Sequence, residues 1–415
     1  MALQGSGAIS LNDVNVELGN SGTASINMGS AAVRDLFGVA SGAISLSDGY
    51  GASSVTPFTN TYIGSFTHPT PASEDLFGKS VAVSGDYVVV SEDQGDDGGT
   101  QNSGAVHIYN TSGTLLHTLH SPAPAVMERF GWHVSISGNL IVVGTPLTGG
   151  SGSARVYNTS GTLLFSLGHP SGTANAWYGA RTAISESYIA VSAQQVNSNN
   201  GVVYLYNTSG TLLHTINPPS GVTGDHFGIG LAISDDYVVI SSQKDGPVYQ
   251  DHGEAYIYST SGVHLHTIPP LSASQGIRFG SENSIAISGD YIVIGSAMGS
   301  VSPANGIVGI YNTSGALLHT LNSPASIYQG RFGQSVTISG DYIAVAATFH
   351  TGVTTQTGAV YIYNTSGTYL HKLYAPDGGI SDAFGNSVSI DNGTLAVGMW
   401  YNTGNYDRQN VYLWK

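Results

Sequence analysis

The 415-residue chain has no cysteine, which excludes disulfides and thiolate metal sites. Charge is also scarce: Asp, Glu, Lys and Arg make up 9% of the residues, with 11 basic against 26 acidic and a formal net charge of −15. No basic patch of the kind that binds nucleic acid is visible, and simple attraction to anionic membranes or anionic glycans is not expected. The acidity itself reads as solubility. No apolar run approaches the ~20 residues that a membrane helix needs. Met1–Ser10 offers neither a basic segment nor an apolar one, so no signal peptide is expected. Disorder is excluded as well, because 41% of the residues are apolar. Against these absences stand 56 glycines and 24 tyrosines, which together with β-branched runs indicate an all-β chain rich in turns.

Most of the chain is a repeat with a period of roughly fifty residues, the range of propellers and solenoids. Each copy opens on an aromatic–glycine pair: Phe77, Phe130, Tyr178, Phe227, Phe279, Phe332 and Phe384, each followed by glycine, mark seven units. The first unit breaks into four strand-like runs, Lys79–Ser84, Tyr87–Glu92, Ala105–Asn110 and Thr114–His120. Ser84-Gly85-Asp86 and Asn110-Thr111-Ser112-Gly113 carry turn chemistry between them. The second run is almost wholly apolar (Tyr87-Val88-Val89-Val90), as expected of a strand covered on both faces. Seven such sheets in a ring make a seven-bladed β-propeller of four-stranded blades. The last unit lacks a fourth strand, and a surplus strand-like run precedes the first unit. Thr61–Thr67 is therefore expected to pair beside Val411–Trp414 and close the ring.

Residues 1–53 do not follow this period. They hold an echo, Ser6–Asp13 and Ser41–Asp48, around two helix-like segments, Asp13–Gly19 and Ser30–Gly38. Residues 54–60 read as a linker, and 61–415 as the propeller. The order Ile9–Asp13, Val14–Gly19, Ala31–Gly38 and Ser41–Gly51 resembles the N-terminal module of virion structural proteins from tailed bacteriophages of marine and cyanobacterial hosts. The units resemble FG-GAP repeats, the propeller repeats of integrin α-chains, in the Phe-Gly start, the Ser-Gly-Asp-Tyr turn and the Gly358–Tyr363 type of strand. The first resemblance implies a particle component attached through residues 1–53 to other virion or tail proteins. It also implies assembly in the host cytoplasm, a place in the virion tail or an appendage, and a homo-oligomer as one arrangement.

Many calcium-binding FG-GAP blades carry a D-x-D-x-D-G-x-x-D loop. Here the nearest acidic loop has other spacing; Glu92, Asp93, Asp96 and Asp97 are the candidates for a calcium ion. No other cofactor is expected. His117, His214, His266, His319 and His371 recur once per unit, which spreads them around a ring and makes them packing residues rather than shared metal ligands. The five Asn-Thr-Ser sequences fall in the repeated turn, which explains them without glycosylation. No phosphate loop, sialidase box or isolated nucleophile–base pair stands out, so no enzyme activity is expected.

The long, variable connections all fall on one face of such a propeller, the natural place for recognition. Trp177, Tyr249, His252, Tyr328, Phe349, Trp400, Tyr401, Tyr406 and Arg408 lie there and are the candidate binding residues. The expectation is a non-enzymatic tail fibre or baseplate-associated adhesin whose loop face meets a host glycan or protein. A decoration or assembly protein, or a carbohydrate-active propeller enzyme, are the alternatives.

Overall fold

The computed structural model describes residues 58–415 apart from 70–74, 97–98, 148–149, 220–222, 244–251, 273–277, 298–305, 325–329, 349–357, 378–382 and 400–409. The expected module at 1–53 lies outside the described residues.

The described chain forms seven antiparallel sheets of four strands each. In blade 1 the order is β2 (Phe77–Ser84), β3 (Tyr87–Glu92), β4 (Ala105–Asn110) and β5 (Leu115–His120). Blades 2 to 6 repeat this over 133–168, 178–216, 230–268, 285–322 and 332–373. Blade 7 takes three strands from the end of the chain, Phe384–Asp391, Thr394–Met399 and Asn410–Trp414, and its outer strand from the beginning, β1 (Tyr62–Thr67). The register sets Tyr62 opposite Trp414 and Thr67 opposite Asn410, so the expected closure is the observed one. The joint starts earlier than expected: Phe58, within the expected linker 54–60, is buried against Tyr342 and His371 of blade 6.

The apolar second strands are explained by their two neighbours. Val88 and Val90 pack towards Ala396, Val411 and Leu413 of blade 7, whereas Val89 packs towards Ile141 and Val143 of blade 2. Alternating side chains of one strand thus face different blades, and both faces need to be apolar. The Phe of each Phe-Gly pair wedges against the preceding blade: Phe130 lies among Ala82, Val89 and Val106 of blade 1, and Phe384 among Ala346 and Val360 of blade 6. Tyr178 fills this place in blade 3, and its hydroxyl donates to Tyr206 Oη at 2.8 Å, so the extra polar atom is satisfied in the core.

The first strand of every blade lines the axis and has no strand neighbour on its inner side. Side chains of adjacent blades supply the missing acceptors. Val134 N donates to Ser80 Oγ (3.1 Å), Val388 N to Ser335 Oγ (3.2 Å), Ile390 N to Thr337 Oγ1 (3.2 Å) and Val83 N to Ser389 Oγ (3.0 Å). The Ser and Thr residues in these strands are therefore the glue of the channel wall. A cavity of ≈ 270 Å³ runs between the strands.

On the outside, the recurring turn is built by its asparagine. Asn110 Oδ1 accepts from Ser112 Oγ at 2.8 Å and Thr114 N at 2.8 Å, and Asn158, Asn207, Asn312 and Asn364 repeat the arrangement. The recurring histidines sit against this turn in the next blade. A Cβ added to Gly161, Gly262 or Gly367 would lie 3.2 Å or less from His117, His214 or His319, respectively. At the joint Gly64 stands where the histidine would be, and the Phe66 ring fills the gap by stacking on Tyr109 at 4.5 Å.

Candidate functional site

The loop-rich face is organised by a turn that repeats around the ring. In each blade the residue before the aromatic–glycine pair accepts a hydrogen bond from the residue after it. The pairs are Lys79 N to Leu76 O, Trp132 N to Arg129 O, Ala180 N to Trp177 O, Ile229 N to His226 O, Ser281 N to Arg278 O, Gln334 N to Arg331 O and Asn386 N to Ala383 O, all at 3.1–3.2 Å. Glycine at the third position has φ between 72 and 93°, the value a type II turn requires. The first residue is also left-handed in all seven cases, although none is glycine, with φ from 45 to 59°. Each such residue is a local strain of ~1 kcal/mol. Leu76, Arg129, Trp177, His226, Arg278, Arg331 and Ala383 are thus presented from one backbone geometry with different side chains.

At the mouth of the axial cavity three blades contribute to one cation–aromatic cluster. Lys79 Nζ lies 3.6 Å above the Trp132 ring and 2.6 Å from Asp93 Oδ2. Arg129 Cζ lies 5.3 Å from the same ring, and its guanidinium 3.8 Å from Asp93 Oδ2. Trp132 and Trp177 meet edge-on with centroids 5.8 Å apart. Both rings are half-buried and keep part of their surface towards solvent. Burial lowers the pKa of the Lys79 ammonium against the pull of Asp93, and burial raises that of the Asp93 carboxyl against the pull of Lys79. Arg181 passes over blade 4, donating from Nε to Ile229 O at 3.1 Å, and reaches Glu282 Oε2 of blade 5 at 3.2 Å. Deeper in the cavity Thr182 N donates to His133 Nδ1 at 3.4 Å. Burial, then the cations of Arg181 and Lys79, push the His133 pKa well below the ordinary histidine value.

A second set of polar contacts lies farther out, at the third position of the third strand in blades 1, 2, 3 and 7. There the strand meets the connection that leads into its own blade. Arg155 donates to Glu128 Oε1 at 3.0 Å in blade 2, Tyr204 contacts His169 Nε2 at 3.1 Å in blade 3, and Tyr412 donates to Asp377 Oδ1 at 2.5 Å in blade 7. In blade 1 the residue is His107, whose Nε2 lies 2.7 Å from Glu92 Oε2; His68 Nε2 lies 2.7 Å from the same oxygen.

This arrangement redirects the acidic loop. Glu92 turns inward to the two histidines, Asp93 is fully buried on Lys79, and Asp96 Oδ1 accepts from Asn102 N at 2.7 Å. Asp97 lies outside the described residues. Of the loop-face candidates, Trp177 joins the axial cluster, while His252 sits half-buried in the connection before the third strand of blade 4, where its carbonyl accepts from Phe279 N. Tyr249, Tyr328, Phe349, Trp400, Tyr401, Tyr406 and Arg408 lie outside the described residues. Sequence reasoning missed Trp132, Lys79 and Arg181. The available signal was a tryptophan directly after Phe-Gly, a position that is Lys, Ala, Ile, Ser, Gln or Asn elsewhere.

Seven four-stranded blades around a cavity, sealed by a strand from the other end of the chain, define a β-propeller. The FG-GAP repeat family matches residues 65–109, 118–157, 213–258, 329–363 and 368–414, just over half of the chain. The chain belongs to the FG-GAP repeat family. No curated protein matches it significantly.

Proposed function

We propose that this propeller is a non-catalytic recognition protein of a phage particle, a tail appendage or fibre component. In this reading residues 1–53 attach it to the virion and the loop-rich face engages the host surface. The observation that carries the recognition half is the Trp132–Trp177 pair flanked by Lys79 and Arg129 at the axial mouth. Two tryptophans in edge contact offer apolar faces on which a sugar ring stacks, and the neighbouring N–H donors suit its hydroxyls. The mouth is cationic although the chain as a whole is acidic, so the favoured ligand is a neutral or acidic surface polysaccharide. Asp93 and Glu282 are both held by cations, which suits binding more than proton transfer. The attachment half rests on the resemblance of residues 1–53 to phage virion modules.

The test is binding of the purified chain to host surface polysaccharide, with Trp132→Ala and Trp177→Ala variants compared at equal thermal stability. Recognition at the mouth requires at least tenfold weaker binding in each variant. Release of oligosaccharide products would replace this reading with an enzyme. A particle reconstruction with the loop face turned onto other virion subunits would replace it with a decoration or assembly role.

A further inference from the structure

His68, Glu92 and His107 are contributed by three separate parts of the chain. His68 directly follows β1, the strand that closes the ring; Glu92 ends β3; His107 is the third residue of β4. All three are buried, with 5%, 5% and 4% of their surface exposed. Their ligand atoms, two imidazole nitrogens and one carboxylate oxygen, all lie within 4.8 Å of one another, a combination found once among the described residues. We propose that these three side chains bind a divalent transition-metal ion, with zinc the metal that their chemistry fits best.

Four features support a metal over a structural hydrogen-bond cluster alone. The donor set of two imidazoles and one carboxylate is a recurrent zinc set, with a fourth position left for another oxygen. The Asp75 carboxylate lies 3.7 Å from His68 Nε2 and is the nearby oxygen for that position, directly or through water. The ring of His107 is fixed from behind, with Nδ1 3.1 Å from Thr118 Oγ1, the outer contact that orients a metal-binding histidine. Finally, Phe77 stands edge-on to His68 at 5.3 Å and close to His107 at 5.6 Å, giving the site a dry apolar wall.

The spacing is compatible with metal entry. Tetrahedral ligands about 2.0 Å from zinc are ~3.3 Å apart. The two 2.7 Å N···O contacts therefore open by about half an ångström when an ion sits between them. Each imidazole binds metal through Nε2 as a neutral ligand when its single ring proton sits on Nδ1, where the His107 proton meets Thr118 Oγ1. No other blade repeats the set: the equivalent third-strand position carries Arg155, Tyr204, Tyr256, Gly309, Tyr361 or Tyr412. The ion would thus mark blade 1, where it ties the residue next to the closing strand to two strands of the neighbouring sheet. Its predicted role is to lock the joint between blades 7 and 1.

The experiment uses the full chain, stripped with EDTA and then titrated with Zn²⁺ and, separately, Co²⁺. The expected result is one tightly bound metal per chain by elemental analysis, a tetrahedral cobalt spectrum, and a melting temperature several degrees above the EDTA-treated form. A His68→Gln, His107→Gln double variant should lose stoichiometric binding and the metal-dependent shift. Should that variant fail to fold, the cobalt spectrum of the unaltered chain decides alone. Failure of the unaltered chain to take up either metal, an octahedral cobalt spectrum, or metal uptake undiminished in the folded double variant would overturn the site.

Discussion

Tyr62 faces Trp414 across the ring joint, their side chains tilted with centroids 5.5 Å apart. Around this pair the joint is doubly tied at its rim, because Thr61 and Lys415 exchange backbone hydrogen bonds at 2.7 and 2.9 Å. Residues at opposite ends of the described chain thus form one strand pair. Removing 59–67 leaves blade 7 with three strands and uncovers Val411 and Leu413. The truncated chain is expected to lose its cooperative thermal transition by circular dichroism; an unchanged midpoint would show that the joint does not hold the ring.

The wedge residues can be tested one blade at a time. Phe332 is fully buried among Val293, Val308 and Val345. Phe332→Ala should reduce the unfolding free energy by about 3–5 kcal/mol in urea titration. Gly333→Ala next to it should also destabilise, by roughly 1–3 kcal/mol, because φ is +87° and the new Cβ meets Val308 Cγ2 at 2.9 Å.

Ala383 offers the opposite sign. It occupies the left-handed first position of the Phe384 turn with φ of 45°. Ala383→Gly is expected to raise stability by about 1 kcal/mol by relieving that strain. The control, Ala359→Gly within the third strand of blade 6, should lower it by ~0.5–1 kcal/mol. Equal losses in both variants, measured by chemical denaturation, would refute a strained turn.

His133 predicts a pH dependence. Its folded-state pKa is depressed, so the unfolded chain binds the proton more readily and stability rises with pH across that window. Stability is thus lost as pH falls below the ordinary histidine value, by at most ~1.4 kcal/mol per pH unit from this group. His133→Asn keeps an acceptor for Thr182 N and removes the titration. The difference between the two unfolding free energies should shrink or reverse from pH 7 to pH 5; a constant difference would show that His133 does not titrate in this way.

The architecture was readable because it is written seven times. A Phe-Gly mark, a turn and an apolar second strand in each unit leave few alternatives, and the missing and surplus strands at the two ends specify the joint. The polar sites were harder to read because they occupy positions where units differ. Lys79, Trp132 and Trp177 are separated by about one repeat each in sequence and meet only because inner strands converge on an axis. The meeting of His68 and His107 with Glu92 escapes notice for the same reason, since no motif spacing links the residue after the surplus strand to two strands of the next blade. In the acidic loop the neighbours Glu92 and Asp93 part company, one turning to the histidines and the other to Lys79.

The joint between Tyr62–Thr67 and Asn410–Trp414 also dictates an order of events during translation. Among the strands of the ring, the segment that seals the circle is made before all the others, and the edge it needs is made after them. Until then the row of sheets has two open ends, and the waiting segment is open to the vacant edge of another copy. Dilution during refolding therefore favours self-sealed monomers, whereas crowding favours exchanged pairs.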